Sequence, residues 1–127
     1  MIRFPGVFVA IVTPFDDKQD VDLKRLKEHA DWLIAEGVDG LVPTGSVGEY
    51  ATLSADERRA VVEAITDVAA DRVPVVVGTA APSTRMAVEG AEHARRSGAA
   101  GIMALPPINY KPTEAEVTAH YEALSKV

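Results

Sequence analysis

Four short segments hold the residues best placed to do chemistry: Thr13-Pro14-Phe15, Thr44-Gly45-Ser46-Val47-Gly48-Glu49-Tyr50, Gly78-Thr79-Ala80, and Pro106-Pro107-Ile108-Asn109-Tyr110-Lys111-Pro112. The first three carry almost no charge. They offer backbone amides and hydroxyls rather than a metal cage or a carboxylate pair. In Gly45-Ser46-Val47-Gly48, two glycines three apart permit a tight turn whose successive amides point inward as an anion-binding nest, with the Ser46 hydroxyl beside it. The alternative is a plain strand-to-helix loop whose glycines serve turn geometry alone. A phosphate-binding P-loop is excluded, because no Gly-Lys-Ser/Thr follows. Glu49 and Tyr50 just precede a helix start, where Glu49 reads first as structural and second as an acid–base group. Around Tyr110, a phenol and a lysine stand beside Asn109 in a segment too rich in proline to be helical. A functional loop and a surface corner or oligomer contact both fit it.

The remaining ionisable residues are less suited to catalysis. His29, His93 and His120 all fall inside helical stretches, away from the segments above, and read as solvent-facing or interface residues. A zinc site or a Ser-His-Asp triad would need them clustered at one mouth. The lysines are Lys18, Lys24, Lys27, Lys111 and Lys126, and none closes an apolar strand. There is no cysteine, which removes disulfides, thiolate zinc sites and a cysteine nucleophile. The formal net charge of −6 argues against nucleic acid or an anionic membrane as partner. Met1-Ile2-Arg3-Phe4-Pro5-Gly6 lacks the apolar stretch of a secretory signal, and the longest apolar run, Val7 to Val12, is far short of a membrane span. A soluble, cytoplasmic protein is expected.

The elements that must position these segments recur as a unit. An apolar run, a turn and a helix-period stretch follow one another four times, the runs being Val7–Val12, Gly40–Thr44, Val73–Val77 and Gly101–Leu105. The first helix has Asp20 or Asp22 as N-cap, presents Leu23, Leu26, Ala30, Leu33 and Ile34 on one face, and stops at Gly37. Ser54 with Glu57, and Thr113 with Glu116, are capping-box pairs, and Ser83 or Thr84 can cap the third helix. The apolar stripes of the later helices are Val61, Val62, Ile65 and Val68; then Ala87, Val88 and Ala91; then Val117, Tyr121 and Leu124. Strict alternation in units of about 30 residues predicts an α/β fold of parallel strands with right-handed crossovers. A small doubly wound sheet and half of a (β/α)₈ barrel, which needs about 250 residues, both fit that periodicity. The glycine-free loop after the first strand speaks against a nucleotide-binding sheet. In either architecture ligands bind at the C-terminal ends of the strands, where the four segments lie.

A resemblance decides between them. Gly6-Val7 to Thr13-Pro14-Phe15, then Gly37-Val38-Asp39-Gly40, Gly45-Ser46-Val47-Gly48-Glu49, Leu53-Ser54 and Glu57-Arg58 are similar to the opening of the dihydrodipicolinate synthase / N-acetylneuraminate lyase family. Pro74 to Gly78-Thr79, Gly98-Ala99-Ala100-Gly101, Pro106-Pro107 and Lys111-Pro112 continue in the same order. The resemblance implies a TIM (β/α)₈ barrel, with residues 1–127 forming its N-terminal half, about the first four βα units of a single domain. It also implies class I aldol-type lyase chemistry, in which a lysine forms a Schiff base with pyruvate or another 2-keto acid and no cofactor or metal takes part. Ser46 and Val47 then occupy the pair that holds the keto-acid carboxylate. A synthase usually has two threonines there; Ser46 keeps a hydroxyl, whereas Val47 offers only its backbone amide. Asn109 falls where synthases place a tyrosine of their proton relay, and Tyr110, one position on, is a candidate catalytic residue. These departures point away from the lysine-pathway synthase and leave a related aldolase, lyase or dehydratase open. The Schiff-base lysine of the family lies on the sixth strand and is expected beyond Val127. The implied partners are a small 2-keto acid and further copies of the chain. The alternative from another class is a non-catalytic half-barrel fragment or scaffold that self-associates.

Overall fold

A computed structural model describes residues 4–127. Met1, Ile2 and Arg3, part of the stretch read as lacking a secretory signal, lie outside the described residues. The elements run β1 (Phe8–Ala10), α1 (Leu23–Ala35), β2 (Gly40–Val42), α2 (Ala55–Ala69), β3 (Val76–Gly78), α3 (Thr84–Arg96), β4 (Gly101–Met103) and α4 (Glu114–Leu124). The strands are shorter than the apolar runs that announced them. At β3 the pairing also sits toward the C-terminal end of its run, since Pro74 has no amide to give; its carbonyl instead accepts from the Leu41 amide at 3.2 Å.

All strand pairs are parallel. Phe8, Val9 and Ala10 of β1 face Gly40, Leu41 and Val42 of β2, and Val76, Val77 and Gly78 of β3 face Gly101, Ile102 and Met103 of β4. A single bridge between Leu41 and Val75 joins the two pairs, so the spatial order is β1-β2-β3-β4. The chain enters α1 through a small turn that the sequence did not announce. There Phe15 and Val21 form an antiparallel bridge, and the Asp16 carboxylate accepts the amides of Lys18 and Asp20.

The helix ends follow their capping residues. Asp22, not Asp20, caps α1 by accepting the Arg25 amide, and Gly37 follows its C-cap at φ +94°. Ser54 and Glu57 form a complete capping box on α2, Thr113 and Glu116 form another on α4, and Ser83 caps α3. In each box the glutamate accepts a backbone amide at 2.7 Å, which holds its carboxyl below the ordinary carboxylate range.

The core lies between the strands and the helices. Ile11, Leu41, Val75 and Val77 from the strands pack on Leu26, Ala30, Val61 and Ile65. Each buried aliphatic side chain there contributes roughly 1.5–3 kcal/mol. A smaller cluster of Ala81, Ala87, Ala91 and Leu124 lies beneath α4. That helix is turned from its expected stripe: His120 and Leu124 are its buried residues, whereas Tyr121 is exposed and sends its hydroxyl to the Ala104 carbonyl. No helix among the described residues is long and apolar enough to cross a membrane.

The four strands form an open array, not a closed barrel. β1 and β4 each have a neighbouring strand on one side only, and Val12, Ile102, Met103 and Leu105 are exposed along them. Small barrels that fill with side chains need about eight strands.

Two outcomes are expected. The glutamates of the capping boxes have lowered carboxyl pKa values when folded, so their contribution is fully present above the ordinary value of 4.5 and is lost as the pH falls through the lower folded values. Helicity followed by circular dichroism from pH 6 down to about 3 should decline. The Glu57→Gln, Glu116→Gln double variant, which keeps the boxes but cannot titrate, should flatten part of that decline; an identical acid limb would show that the boxes do not contribute. Because unpaired edges template pairing, the 127-residue chain alone should dimerise, aggregate or fold loosely. A monodisperse monomer in sedimentation, with strongly protected strand amides, would contradict this.

Candidate functional site

The C-terminal ends of β1, β2 and β3 each close on a threonine that is almost wholly buried: Thr13, Thr44 and Thr79. Their hydroxyls tie neighbouring elements together. Thr13 Oγ1 donates to the Gly48 carbonyl at 2.8 Å, and Thr44 Oγ1 lies 2.8 Å from the carbonyl oxygens of Gly78 and Pro43. Thr79 Oγ1 is buried without a partner among the described residues. The loop from Gly45 to Leu53 stands on this platform.

The loop is a tight turn, as expected, and its left-handed backbone is not supplied by its glycines. Positive φ falls on Thr44 (+55°) and Glu49 (+58°), which flank the Gly45–Gly48 segment. For a β-branched residue such as Thr44, 1% exposed, that conformation costs about 1–2 kcal/mol and persists only where surroundings impose it. Gly48, and Gly78 beside the loop, are needed for close approach instead. A Cβ on Gly48 would lie 3.1 Å from the Ile11 carbonyl and 3.2 Å from the Thr44 amide nitrogen, and one on Gly78 only 2.3 Å from the Thr44 carbonyl. Inside the turn the Glu49 amide donates to the Ser46 carbonyl at 3.1 Å and the Tyr50 amide to the Gly45 carbonyl at 3.3 Å. The amides of Ser46, Val47 and Gly48 donate to no backbone carbonyl among the described residues. Ser46 and Val47 are exposed, Val47 by 52%. Three consecutive unspent amides beside a hydroxyl can hold a small anion. Glu49 is held through its backbone, its carbonyl accepting from the Thr52 amide and hydroxyl.

Tyr110 is not brought to this loop. It is 83% exposed and lines a cleft of about 460 Å³ with Pro82, Ser83, Lys111, Glu116 and His120. Asn109 faces another cleft of about 350 Å³, together with Tyr50, Arg58, Met86 and Ile108. Lys111 is exposed and, as expected, closes no strand. A groove of about 680 Å³ lies on the outer face among α1, α2 and α3, away from the strand ends.

Sequence reasoning passed over Arg58 as a site residue. Its guanidinium donates to the Ala80 carbonyl at 2.7 Å and lies 5.4 Å from the centre of the Tyr50 ring. Burial pushes its pKa down. The available signal was its place one turn into α2, after a capping box that directs that turn toward the strand ends. The histidines also need correction. His120, expected at the surface, is 2% exposed between α3 and α4, with Nδ1 2.9 Å from Thr84 Oγ1 and Nε2 buried without a partner. It is inside because α4 turns residues 120 and 124, four apart and so on one face, toward α3. His93 is half-buried against Glu63 at 2.9 Å, and His29 stacks on Trp32.

Parallel βα units with hydroxyl- and amide-rich loops at the strand ends define a ligand-binding α/β class. Comparison with known proteins narrows it: the model of the dihydrodipicolinate synthetase family matches residues 3–127, and the chain belongs to that family. It is 44% identical over 123 residues to the 4-hydroxy-tetrahydrodipicolinate synthase of Agrobacterium fabrum, covering 97% of this chain and 42% of that protein. Among solved structures, it superposes with TM-score 0.93 and 37% identity on a chloride-inhibited dihydrodipicolinate synthase from Acinetobacter baumannii complexed with pyruvate, covering 98% of this chain and 43% of that one. An N-acetylneuraminate lyase from Mycoplasma synoviae superposes with TM-score 0.92 at 30% identity, covering 97% and 43%. The chain therefore spans well under half the length of these relatives, matching their N-terminal part.

The close contact of β2 and β3 gives a direct test. Gly78→Ala places a Cβ against backbone that cannot swing aside, and should destabilise the fold by about 1–3 kcal/mol or more. Urea unfolding with an unchanged midpoint would show that Thr44 and Gly78 are not in contact.

Proposed function

We propose that residues 1–127 form the first half of a (β/α)₈ barrel whose complete form is a class I lyase or aldolase acting on pyruvate or another 2-keto acid. The single observation that carries this reading is the turn after β2. Its Ser46 hydroxyl and its Val47 and neighbouring amides stand at the strand ends with no backbone partner to satisfy them. A carboxylate is a suitable occupant, because donors to a charged acceptor form the stronger class of hydrogen bond. On this reading the carboxylate is held here while a lysine from the remaining part of the barrel attacks the ketone carbon and water leaves as the Schiff base forms. Such a lysine must sit in a desolvated pocket that lowers its pKa. Lys18, Lys24, Lys27, Lys111 and Lys126 are all exposed, which supports assigning the nucleophile to a region beyond Val127. The pyruvate bound to the Acinetobacter baumannii structure supports the substrate class. Tyr110, which is exposed and lines a cleft without Ser46 or Val47, has its best place as a contact to another subunit of a homo-oligomer. The complete enzyme would be cytoplasmic and need no cofactor.

Two measurements test the proposal. The 127-residue chain, incubated with pyruvate and borohydride, should gain no stoichiometric mass; an adduct mapped to one of its own lysines would place the nucleophile within it. In the complete enzyme, Ser46→Ala should weaken 2-keto-acid binding by about 1–3 kcal/mol, the cost of leaving a charged acceptor short of one donor, with little change in melting temperature. Unchanged affinity together with a large loss of melting temperature would assign Ser46 to the scaffold.

A further inference from the structure

The turn that carries Ser46 and Val47 is held from outside by a residue on a different strand segment. Thr13, just past β1, is almost wholly buried, and its hydroxyl donates to the Gly48 carbonyl at 2.8 Å. That carbonyl belongs to the peptide joining Gly48 to Glu49, whose N–H donates at 3.1 Å to the Ser46 carbonyl. Both polar ends of one peptide plane are therefore fixed: the N–H closes the turn on itself, and the C=O fastens it to β1. The two peptides before it, which present the Val47 and Gly48 amides, hang between that plane and the left-handed Thr44. Gly48 itself lies against the Ile11 carbonyl, so the turn is pressed onto the segment that ends in Thr13. Pro14 follows Thr13 and biases its backbone to an extended conformation, which limits where the hydroxyl can point.

We infer that Thr13 is a positioning residue for the anion-binding turn: its hydroxyl sets the direction of the Val47 and Gly48 amides through the Gly48 carbonyl and does not itself touch the ligand. This rests on the reading of the turn as the keto-acid carboxylate site, and it adds a specific dependence of that site on β1. A structural hydroxyl needed only for stability would affect folding alone, whereas a positioning hydroxyl affects the turn and its affinity at constant fold.

The test uses Thr13→Val, which keeps the shape and removes the donor, and Thr13→Ser, which keeps the donor. Both are made in the complete barrel enzyme, with pyruvate as the probe and Ser46→Ala as the reference variant. Thr13→Val should raise hydrogen exchange at the Glu49 amide, and should raise KM for pyruvate roughly five- to tenfold, the size expected of one neutral hydrogen bond, while kcat stays within about twofold. Thr13→Ser should restore both. If Glu49 exchange is unchanged in Thr13→Val, or if exchange rises while KM stays constant although Ser46→Ala raises it, the inference about Thr13 is overturned and the keto-acid reading survives. If neither Thr13→Val nor Ser46→Ala moves KM, the reading of the turn falls and the inference with it. A Thr13→Val protein that fails to fold, or one that folds with a large loss of melting temperature but an unchanged KM, would assign the hydroxyl to stability and also overturn it.

Discussion

The contact between the ends of β2 and β3 determines how the other loops can be arranged. Thr44 adopts a left-handed backbone that its branched side chain disfavours, and three features compensate for it. Its hydroxyl bonds to the Gly78 carbonyl, its burial is nearly complete, and Gly78 lacks the Cβ that would collide with it. This reversal of direction at Thr44 takes the chain out of the strand and into the Gly45–Leu53 turn within one residue. A strand continuing straight would carry Ser46 and Val47 above the sheet without the inward bend. The local strain of about 1–2 kcal/mol is small beside the burial of Ile11, Leu41, Val75 and Val77 just below it, which is why the fold can sustain it.

The same economy governs the rest of the strand-end face. Polar atoms there are mostly paired backbone carbonyls and threonine hydroxyls, with one guanidinium, that of Arg58, resting on Tyr50 and the Ala80 carbonyl. The helices begin at this face, and each has one first-turn amide accepted by its capping side chain, Asp22, Ser54, Ser83 or Thr113. In the turn after β2 the amides of Ser46, Val47 and Gly48 donate to no backbone carbonyl among the described residues, and they stand beside the Ser46 hydroxyl.

What could be read from the sequence divides along the range of the interaction. The capping boxes, the Gly37 stop and the order of strands and helices depend on residues within a few positions of each other, and the sequence displays them. The family motifs extended this to the location of the Ser46–Val47 turn. The reason for its glycines was hidden, because Gly48 meets Ile11 and Gly78 meets Thr44 across strand neighbours more than thirty residues apart in the chain. Spacing suggested a tight turn at the glycines, and the left-handed residues that flank it, Thr44 and Glu49, were not legible. His120 was misplaced for a related cause. The stripe of Val117, Tyr121 and Leu124 is close to the true one, but packing on α3 through Thr84 rotates it enough to bury His120 and expose Tyr121. Arg58 was hard to tell from the exposed Arg59 beside it, because the capping box marks the turn that carries both and only the fold puts Tyr50 and Ala80 around one of them.

The open edges bear on the site as well as on the fold. On the proposed reading, the turn already has its geometry, fixed by Thr13, Thr44 and Gly78, but it does not yet have its dielectric. Ser46 and Val47 stand on the side where the array is open, and water there competes for every donor they offer. Two unit charges 4 Å apart interact by about 1 kcal/mol in water and by about 4 kcal/mol at the effective dielectric of a protein surface, and donor–anion hydrogen bonds strengthen in the same direction. Closing the barrel would cover the exposed Val12, Ile102, Met103 and Leu105 and exclude water from the mouth. The same step would therefore bury the apolar edges and strengthen the hydrogen bonds from the turn to a carboxylate. Stability of the complete fold and affinity for the keto acid are then coupled through one physical event, the removal of water from the open side of β1–β4.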